Sequence, residues 1–476
     1  MQSLNVELKR LVEISSLSRN GTSEVVNHLA QLMEDVGLHV EPQHVMHSLE
    51  GVSKRQFNVV GVLGEPLVDE MTKTGLLLQS HLDTGLDPKQ IKLNNDDAGA
   101  VYGAGVSDSK GDFLAKLFAV KRFREKKLKM PIYLVGTCGA ELGQFGARYL
   151  IQSKILNPQY VMVGYPTDLR MGVEQRSLLN FDISIVYRVT ERDPRGFNRG
   201  VKINIKSSMG SAFEGSNKPD ALTVALALIK DSVQAGFDLR IKFINSNSDM
   251  LSLSTDCFLE LYLTSHQFED FKRLLKQEEF TKKYNGLVSL DYEFLIVGDA
   301  GVSFIPHDGT LAMYRLFDEL KLRLNEDVEN SVSNFYYINQ EINSTRFGLA
   351  VAYSSALSDK IVCTALADAI ARISNQFPAM NINIQKTISI PGLESNDSEI
   401  KLILKESIEK ESVSCEELKT SGINESGIFS RAGFDTVFFG AGGMDSNPRS
   451  DKENISIEQL DRSVEIYSKI IERVCM

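Results

Sequence analysis

Short apolar runs alternate with amphipathic helical patterns over the first 176 residues of the chain, and the same alternation returns over the last 90. The runs are mostly apolar along their whole length, as strands buried on both faces are. Four of them are Phe57–Leu63, Gly75–Gln79, Ile132–Gly136 and Tyr160–Val163. Strands that alternate with helices predict an α/β fold, a largely parallel sheet with helices on both faces.

The middle of the chain has a different pattern. Asn180–Tyr187 alternates apolar and polar residues, as an antiparallel strand with one exposed face does. Strand and helix patterns then recur up to residue 386, which indicates a separate α+β unit. The sequence therefore predicts one α/β domain made of residues 1–176 and 387–476, interrupted by an inserted α+β domain at 177–386.

Composition narrows the classes of function. The 476 residues are 42% hydrophobic and 24% charged, as in ordinary globular proteins. The net charge of −11 argues against nucleic acid or an anionic membrane as the main partner. We find no apolar run near the ~20 residues of a membrane helix, and no signal-peptide pattern at the start. With five scattered cysteines, which indicate reduced thiols, these features predict a cytoplasmic protein.

Three polar motifs each follow a predicted strand or precede a helix. His81 and Asp83 lie two residues apart in Ser80-His81-Leu82-Asp83-Thr84, a spacing that lets the carboxylate of Asp83 orient the His81 imidazole. Asp108 lies within Tyr102–Gly111, just before a helix, and Glu141 lies in Cys138-Gly-Ala-Glu-Leu-Gly143. Open α/β sheets place their functional sites beyond the carboxyl ends of strands, so these groups predict one site.

These motifs, in this order, resemble those of the dizinc aminoacylase and carboxypeptidase family, which includes acetylornithine deacetylases and large-lid dipeptidases. The family shows H-x-D, then Y-G-x-G-x-x-D-x-K-G, A-D-E-E-x-G, G-E-P-T and finally H-x-x-x-E. The resemblance implies a zinc-peptidase-like mixed sheet flanked by helices, with an inserted lid or dimerisation domain. It also implies that His81 binds a first zinc, that Asp108 bridges two zincs, that Glu141 binds the second, and that Asp83 holds His81.

Four positions depart from the family pattern. Ala140 stands where the family has its general base, and Tyr165 stands where G-E-P-T has its acidic zinc ligand. Arg449, four residues before Glu453, stands where H-x-x-x-E has its histidine. Ser211 aligns with the histidine of the lid that stabilises the oxyanion. The seven histidines end at residue 307, so no shift of the alignment supplies the missing imidazole.

These departures leave two protein ligands for each zinc, whereas a catalytic zinc normally has three. We therefore expect zinc or another divalent metal to be absent or only partly bound. The sequence predicts a degenerate relative in which Ser211, Arg449 and Tyr165 contact a peptide-like or N-acyl amino acid ligand. The alternatives are an active amidohydrolase or dipeptidase with an altered or mononuclear metal site, and a structural partner of an active paralogue. Either a homodimer or a large-lid monomer agrees with the 210-residue insertion.

Overall fold

The computed structural model describes residues 3–65, 72–90, 99–187, 191–192, 196–213, 220–276, 288–296, 303–341, 343–395, 398–411 and 414–476. The chain divides into two compact units. The first contains Met1–Ser177 and Ile390–Met476, and the second contains Leu178–Ser389. Among all the residues described above, no helix is both long enough and apolar enough to cross a membrane.

The first unit contains helices at both ends of the chain and a central sheet. Its helices are α1 Leu4–Glu13, α2 Ser23–Val36, α3 Gly111–Lys121, α4 Phe145–Ser153, α9 Glu399–Glu409, α10 Ser426–Arg431 and α11 Ile457–Cys475. Its strands are β1 His39–His44, β2 Phe57–Leu63, β3 Leu76–His81, β4 Ala100–Tyr102, β5 Ile132–Thr137, β6 Tyr160–Gly164, β7 Met171–Gln175, β18 Leu393–Glu394, β19 Glu417–Thr420, β20 Asp435–Phe439 and β21 Asn454–Ser456.

The main sheet of this unit is mixed, with its parallel strands at the centre. The strand order is β1-β2-β5-β3-β6-β20-β7-β18, and β19 pairs with β7. Strand β3 runs parallel to both β5 and β6, and β6 runs parallel to β20. Every residue of β3 is buried, as expected for a strand covered on both faces. The α/β class expected from the sequence is confirmed, and antiparallel outer strands such as β1 and β2 make the sheet mixed.

Helix α11 shows why these residues form a packed helix. Leu460, Val464, Tyr467 and Ile471 recur at helical spacing and are all buried against the sheet's apolar cluster. The Ser456 side chain accepts a hydrogen bond from the Gln459 amide at 3.4 Å and so caps the first turn. The amphipathic pattern thus places this helix on one face of the sheet.

The second unit is α+β and has its own apolar core. Its helices are α5 Ala221–Gln234, α6 Ser265–Lys276, α7 His307–Asp327 and α8 Asp359–Gln376. Its strands are β8 Ser177–Tyr187, β9 Glu191–Arg192, β10 Arg199–Ser207, β11 Arg240–Asn247, β12 Asp256–Leu263, β13 Val288–Ile296, β14 Ser303–Phe304, β15 Val332–Gln340, β16 Ser344–Tyr353 and β17 Met380–Ile390. Eight of these strands form one sheet in the order β13-β10-β12-β11-β15-β16-β8-β17.

Candidate active site

The three predicted metal ligands come together at one edge of the main sheet. His81 ends β3, Glu141 follows β5, and Asp108 lies in the tight turn Val106–Lys110 that leads into α3. One ligand atom from each residue lies within 4.8 Å of the others, and all three residues are buried. The parallel strands β3 and β5 end at the same edge, so residues far apart in the sequence meet there.

Arg449 lies among these ligands and pairs with both carboxylates. Its Nη2 is 3.1 Å from Oδ2 of Asp108, and its Nε is 2.9 and 3.1 Å from the two carboxylate oxygens of Glu141. Only 8% of Arg449 is exposed, so these are buried ion pairs. The guanidinium therefore places a fixed positive charge between the two acidic residues.

The charges of the site shift one another's ionisation. Burial opposes the ionisation of Asp108, but the charges of Arg449 and His81 outweigh it and lower its pKa to about 2. Burial likewise opposes the protonation of His81, yet the acidic groups around it raise its pKa to about 10. For Glu141, burial outweighs the attraction of Arg449 and raises the pKa. His81 is therefore a cation at neutral pH in this arrangement, hydrogen-bonded to Asp108 through Nε2 at 2.9 Å.

Asp83 contacts His81 through a different atom from the one expected. Nδ1 of His81 is 2.9 Å from the main-chain oxygen of Asp83, whereas the nearest carboxylate oxygen is 3.9 Å away. The Asp83 carboxylate instead accepts hydrogen bonds from Ser18 Oγ at 2.8 Å and from the amides of Ala140 and Glu141 at 3.1 and 3.2 Å. The carboxylate thus stabilises the loop that carries Glu141, while the main chain orients the imidazole.

The remaining predicted positions lie in different surroundings. Ala140 is buried beside Glu141 and offers only a methyl group. The Tyr165 ring is buried in an apolar cluster and meets Phe438 edge-on, with 5.7 Å between the ring centroids. Ser211 belongs to the second unit, where its Oγ accepts a hydrogen bond from the Phe213 amide at 3.4 Å.

Glu453 is a site residue whose role is not predicted from the sequence. Its carboxylate accepts hydrogen bonds from the amides of Gly105, Ser107 and Asp108 at 3.0–3.1 Å and from Ser107 Oγ at 2.9 Å. Burial, together with the charge of Asp108, raises its pKa to about 7. The signal that could have identified it is its place in the resemblance, four residues after Arg449. Glu453 holds the turn that presents Asp108.

We expect Glu453→Gln to lower the free energy of unfolding by about 2 kcal/mol. The NH₂ group of glutamine would face main-chain amides and a hydroxyl that all donate hydrogen bonds to the carboxylate, so at least one of these bonds would be lost. Urea denaturation of the purified variant measures this loss. The matched control is Glu458→Gln on the exposed side of α11, which should change stability by less than about 0.5 kcal/mol. Equal stability of the two variants would show that Glu453 does not hold the turn.

Cys138, which precedes the Glu141 loop, is not positioned to act as a nucleophile. The thiol is buried, and burial together with the charges of Asp83 and Glu425 raises its pKa well above the usual value. A thiol nucleophile needs the opposite shift, toward the thiolate. We therefore interpret Cys138 as a packing residue.

Comparison with known proteins identifies the family. The model for peptidase family M20/M25/M40 matches residues 77–473. The acetylornithine deacetylase of Aliivibrio fischeri (strain MJ11) is 32% identical over 176 residues, which cover 34% of this chain and 42% of that protein. That of Buchnera aphidicola subsp. Acyrthosiphon pisum (strain APS) is 26% identical over 192 residues, 37% of this chain and 46% of that protein. The chain thus spans less than half the length of these curated relatives.

Solved structures are similar in fold over nearly the whole chain. The aminoacylhistidine dipeptidase of Vibrio alginolyticus gives a TM-score of 0.58 at 16% identity, covering 99% of this chain and 96% of that one. Human carnosine dipeptidase 1 gives 0.60 at 13% identity, covering 98% and 95%. The motifs, the mixed sheet and the family match agree: the chain belongs to peptidase family M20/M25/M40.

Proposed function

We propose that this protein has lost the dizinc hydrolase mechanism and binds a peptide-like or N-acyl amino acid ligand without hydrolysing it. The observation that carries the proposal is the pair of buried ion contacts from Arg449 to Asp108 and Glu141. A divalent cation at these carboxylates would have to displace the guanidinium or lie beside it, and like charges at that separation repel. The guanidinium supplies the positive charge that a metal would otherwise supply.

The donor set supports the same conclusion, because it does not fit two zinc ions. A first zinc would have His81 and Asp108, and a second would have Asp108 and Glu141, which is two protein ligands each instead of three. His81 would also have to lose its proton, although its pKa is raised to about 10. We therefore assign no catalytic step to a metal in this protein.

Ala140 removes a further part of the hydrolytic mechanism. A methyl group cannot take a proton from water, and loss of a positioned general base typically costs about 10²–10⁴ in rate. Ala140 is buried and directly precedes Glu141, so this position supplies no carboxylate to a nearby water. The loss of the base and the loss of metal ligands act on the same step, which is why we expect no residual turnover.

The ligand class rests on the relatives. The names of the related proteins, an acetylornithine deacetylase and an aminoacylhistidine dipeptidase, describe acylated amino acids and dipeptides. We propose Arg449, Tyr165 and Ser211 as ligand contacts. The proposal treats residues 1–176 and 387–476 as the catalytic-type domain and 177–386 as the lid of a homodimer or a large-lid monomer. The cytoplasm is the compartment we propose, on the sequence features alone.

A mononuclear amidohydrolase is the second candidate, and one observation favours it. His81, Asp108 and Glu141 offer ligand atoms within 4.8 Å of one another, which is compact enough to hold one ion if Arg449 withdraws. This enzyme would carry its metal in stoichiometric amount. Metal content therefore separates the two candidates.

We expect the purified protein to contain less than about 0.1 zinc per chain after dialysis and to hydrolyse neither dipeptides nor N-acyl amino acids, because each zinc lacks a third ligand. Elemental analysis and a substrate panel measure both, and thermal shift with the same compounds tests binding. The mononuclear enzyme would be established instead if the protein contained bound zinc and turned over a substrate. His81→Ala should then abolish this turnover, and the exposed control His44→Ala should retain it.

A further inference from the structure

A second group of buried polar residues lies in the first unit and includes residues of strands β3 and β5. We call it the Glu425 cluster. All of its members are buried. Each is hydrogen-bonded to another member or is its neighbour in the chain. They are Gln79, Thr137, Gln144, Asn424, Glu425 and Ser426.

Glu425 is at the centre of the cluster. Its Oε2 accepts hydrogen bonds from Thr137 Oγ1 at 2.8 Å and from Gln79 Nε2. Gln79 and Thr137 lie on the same face of the sheet as His81, because Gln79 precedes His81 by two residues in β3 and Thr137 is the register partner of His81. Glu425 therefore lies on the same face of the sheet as His81 and is hydrogen-bonded directly to strands β3 and β5.

Several buried atoms of the cluster lack a hydrogen-bond partner among the described residues. Each belongs to a side chain that is at least nine-tenths buried, and most are oxygens. They are Glu425 Oε1, Gln79 Oε1, Gln144 Oε1, Ser426 Oγ and Asn424 Nδ2. Buried polar groups are normally paired with protein, water or an ion, so this concentration within one network indicates a missing occupant.

The charged groups around the cluster indicate that the occupant is positively charged. The nearby cations are already engaged, since His81 pairs with Asp108 and Arg449 pairs with Asp108 and Glu141. Burial raises the pKa of Glu425, the charge of His81 lowers it and the charge of Asp83 raises it, and Glu425 forms no ion pair among the described residues. A buried carboxylate without an ion-pair partner of its own is costly, so Glu425 is either protonated or neutralised by a bound cation.

We propose that the Glu425 cluster is a binding site for a small monovalent cation, such as K⁺, Na⁺ or NH₄⁺. The free oxygens of Glu425, Gln79, Gln144 and Ser426 are hard donors of the kind that such ions take. One carboxylate supplies one charge, which balances a monovalent ion, whereas divalent ions are usually held by more than one carboxylate or by phosphates. This inference is independent of the proposed function, because none of its donors is a predicted zinc ligand.

The competing occupant is a proton with water. Burial raises the pKa of Glu425 to about 7, opposed by the charge of His81 and assisted by that of Asp83. A cation binds the ionised carboxyl, so cation binding must weaken as the pH falls below about 7. Protonation with bound water predicts no dependence on the identity of the cation at any pH.

The experiment measures thermal unfolding of the full chain in KCl, NaCl or NH₄Cl and compares it with unfolding in tetramethylammonium chloride. Each salt is present at about 150 mM, so that the ionic strength is the same, and a chelator is present throughout. A site with a millimolar dissociation constant should raise Tm by about 3 °C or more in at least one small cation at pH 8, and by less at pH 5.5. Glu425→Gln should abolish the difference. The control Glu260→Gln, a buried glutamate of the second unit, should retain it.

If Glu425→Gln does not fold, Ser426→Ala removes one neutral oxygen and should require several-fold more cation for the same rise in Tm. Crystals soaked in Tl⁺ or Rb⁺ should show an anomalous peak beside Glu425. Equal Tm in all four chlorides, or a cation effect that survives Glu425→Gln, would overturn the proposal. Because a chelator is present throughout, the result does not depend on whether zinc binds at His81.

Discussion

Arg449→Met should lower the free energy of unfolding by about 3–5 kcal/mol, the range seen when one partner of a buried ion pair is removed. The substitution keeps the aliphatic length but leaves Asp108 and Glu141 buried without the guanidinium that now contacts both. Only 4% of Asp108 and 1% of Glu141 is exposed, so water cannot replace the lost donors without a rearrangement of the loops. Urea denaturation at pH 7 measures the change.

The control for this prediction is Arg462→Met. Arg462 pairs with Glu458 on the exposed side of α11, and exposed pairs contribute about 0–1 kcal/mol. Adding Glu141→Gln to Arg449→Met should recover part of the lost stability, because it removes one of the unpaired charges. A loss below about 1 kcal/mol for Arg449→Met would mean that Arg449 does not stabilise the site, and the main support for a metal-free function would be lost.

Arg449→His should convert the site to one that binds a single zinc, raising the content from below about 0.1 to about 1 zinc per chain. The change removes the guanidinium and adds an imidazole at the position of the histidine in H-x-x-x-E, so that the new imidazole would join Asp108 and Glu141 as a third ligand. Position 449 has φ of 58°, a left-handed conformation that histidine adopts more readily than most residues. Equilibrium dialysis with elemental analysis measures the zinc.

Arg449→Gln is the matched control, because it also removes the charge but supplies no strong zinc ligand. It should bind clearly less zinc than Arg449→His, and Glu141→Gln in the Arg449→His variant should reduce binding again. Equal zinc in Arg449→Gln and Arg449→His would mean that the guanidinium alone excludes the metal. Stoichiometric zinc in the unaltered protein would contradict both this prediction and the proposed function.

Much of the fold and part of the site could be predicted from the sequence. Buried strands such as Ile132–Gly136 are apolar along their length, and helices such as α11 repeat apolar residues at helical spacing, so local patterns place them. His81 and Glu141 follow parallel strands of one sheet, and this topology brings them together with Asp108. The contact between Asp83 and His81 is less predictable from the sequence, because two-residue spacing in an extended chain does not determine whether a main-chain or a side-chain oxygen contacts the imidazole.

The Glu425 cluster could not be predicted, since no local pattern connects its members. Glu425 and Gln79 are 346 residues apart and meet because α10, which Glu425 precedes, packs against strands of the sheet. Glu453 presents a similar case, for its hydrogen bonds to the turn at 105–108 also cross most of the chain. Contacts of this kind depend on the packing of whole elements.

The sequence by itself determined which chemical groups are present: no histidine after residue 307, alanine at 140 and arginine at 449. Those identities are enough to predict the loss of zinc ligands and of a general base. Only the tertiary structure decided that Arg449 neutralises Asp108 and Glu141, and that Glu425 is buried with no such partner among the described residues. The physical reason is that the energy of a charge depends on its distance from other charges and on its exposure to water, and neither quantity can be read from residue order.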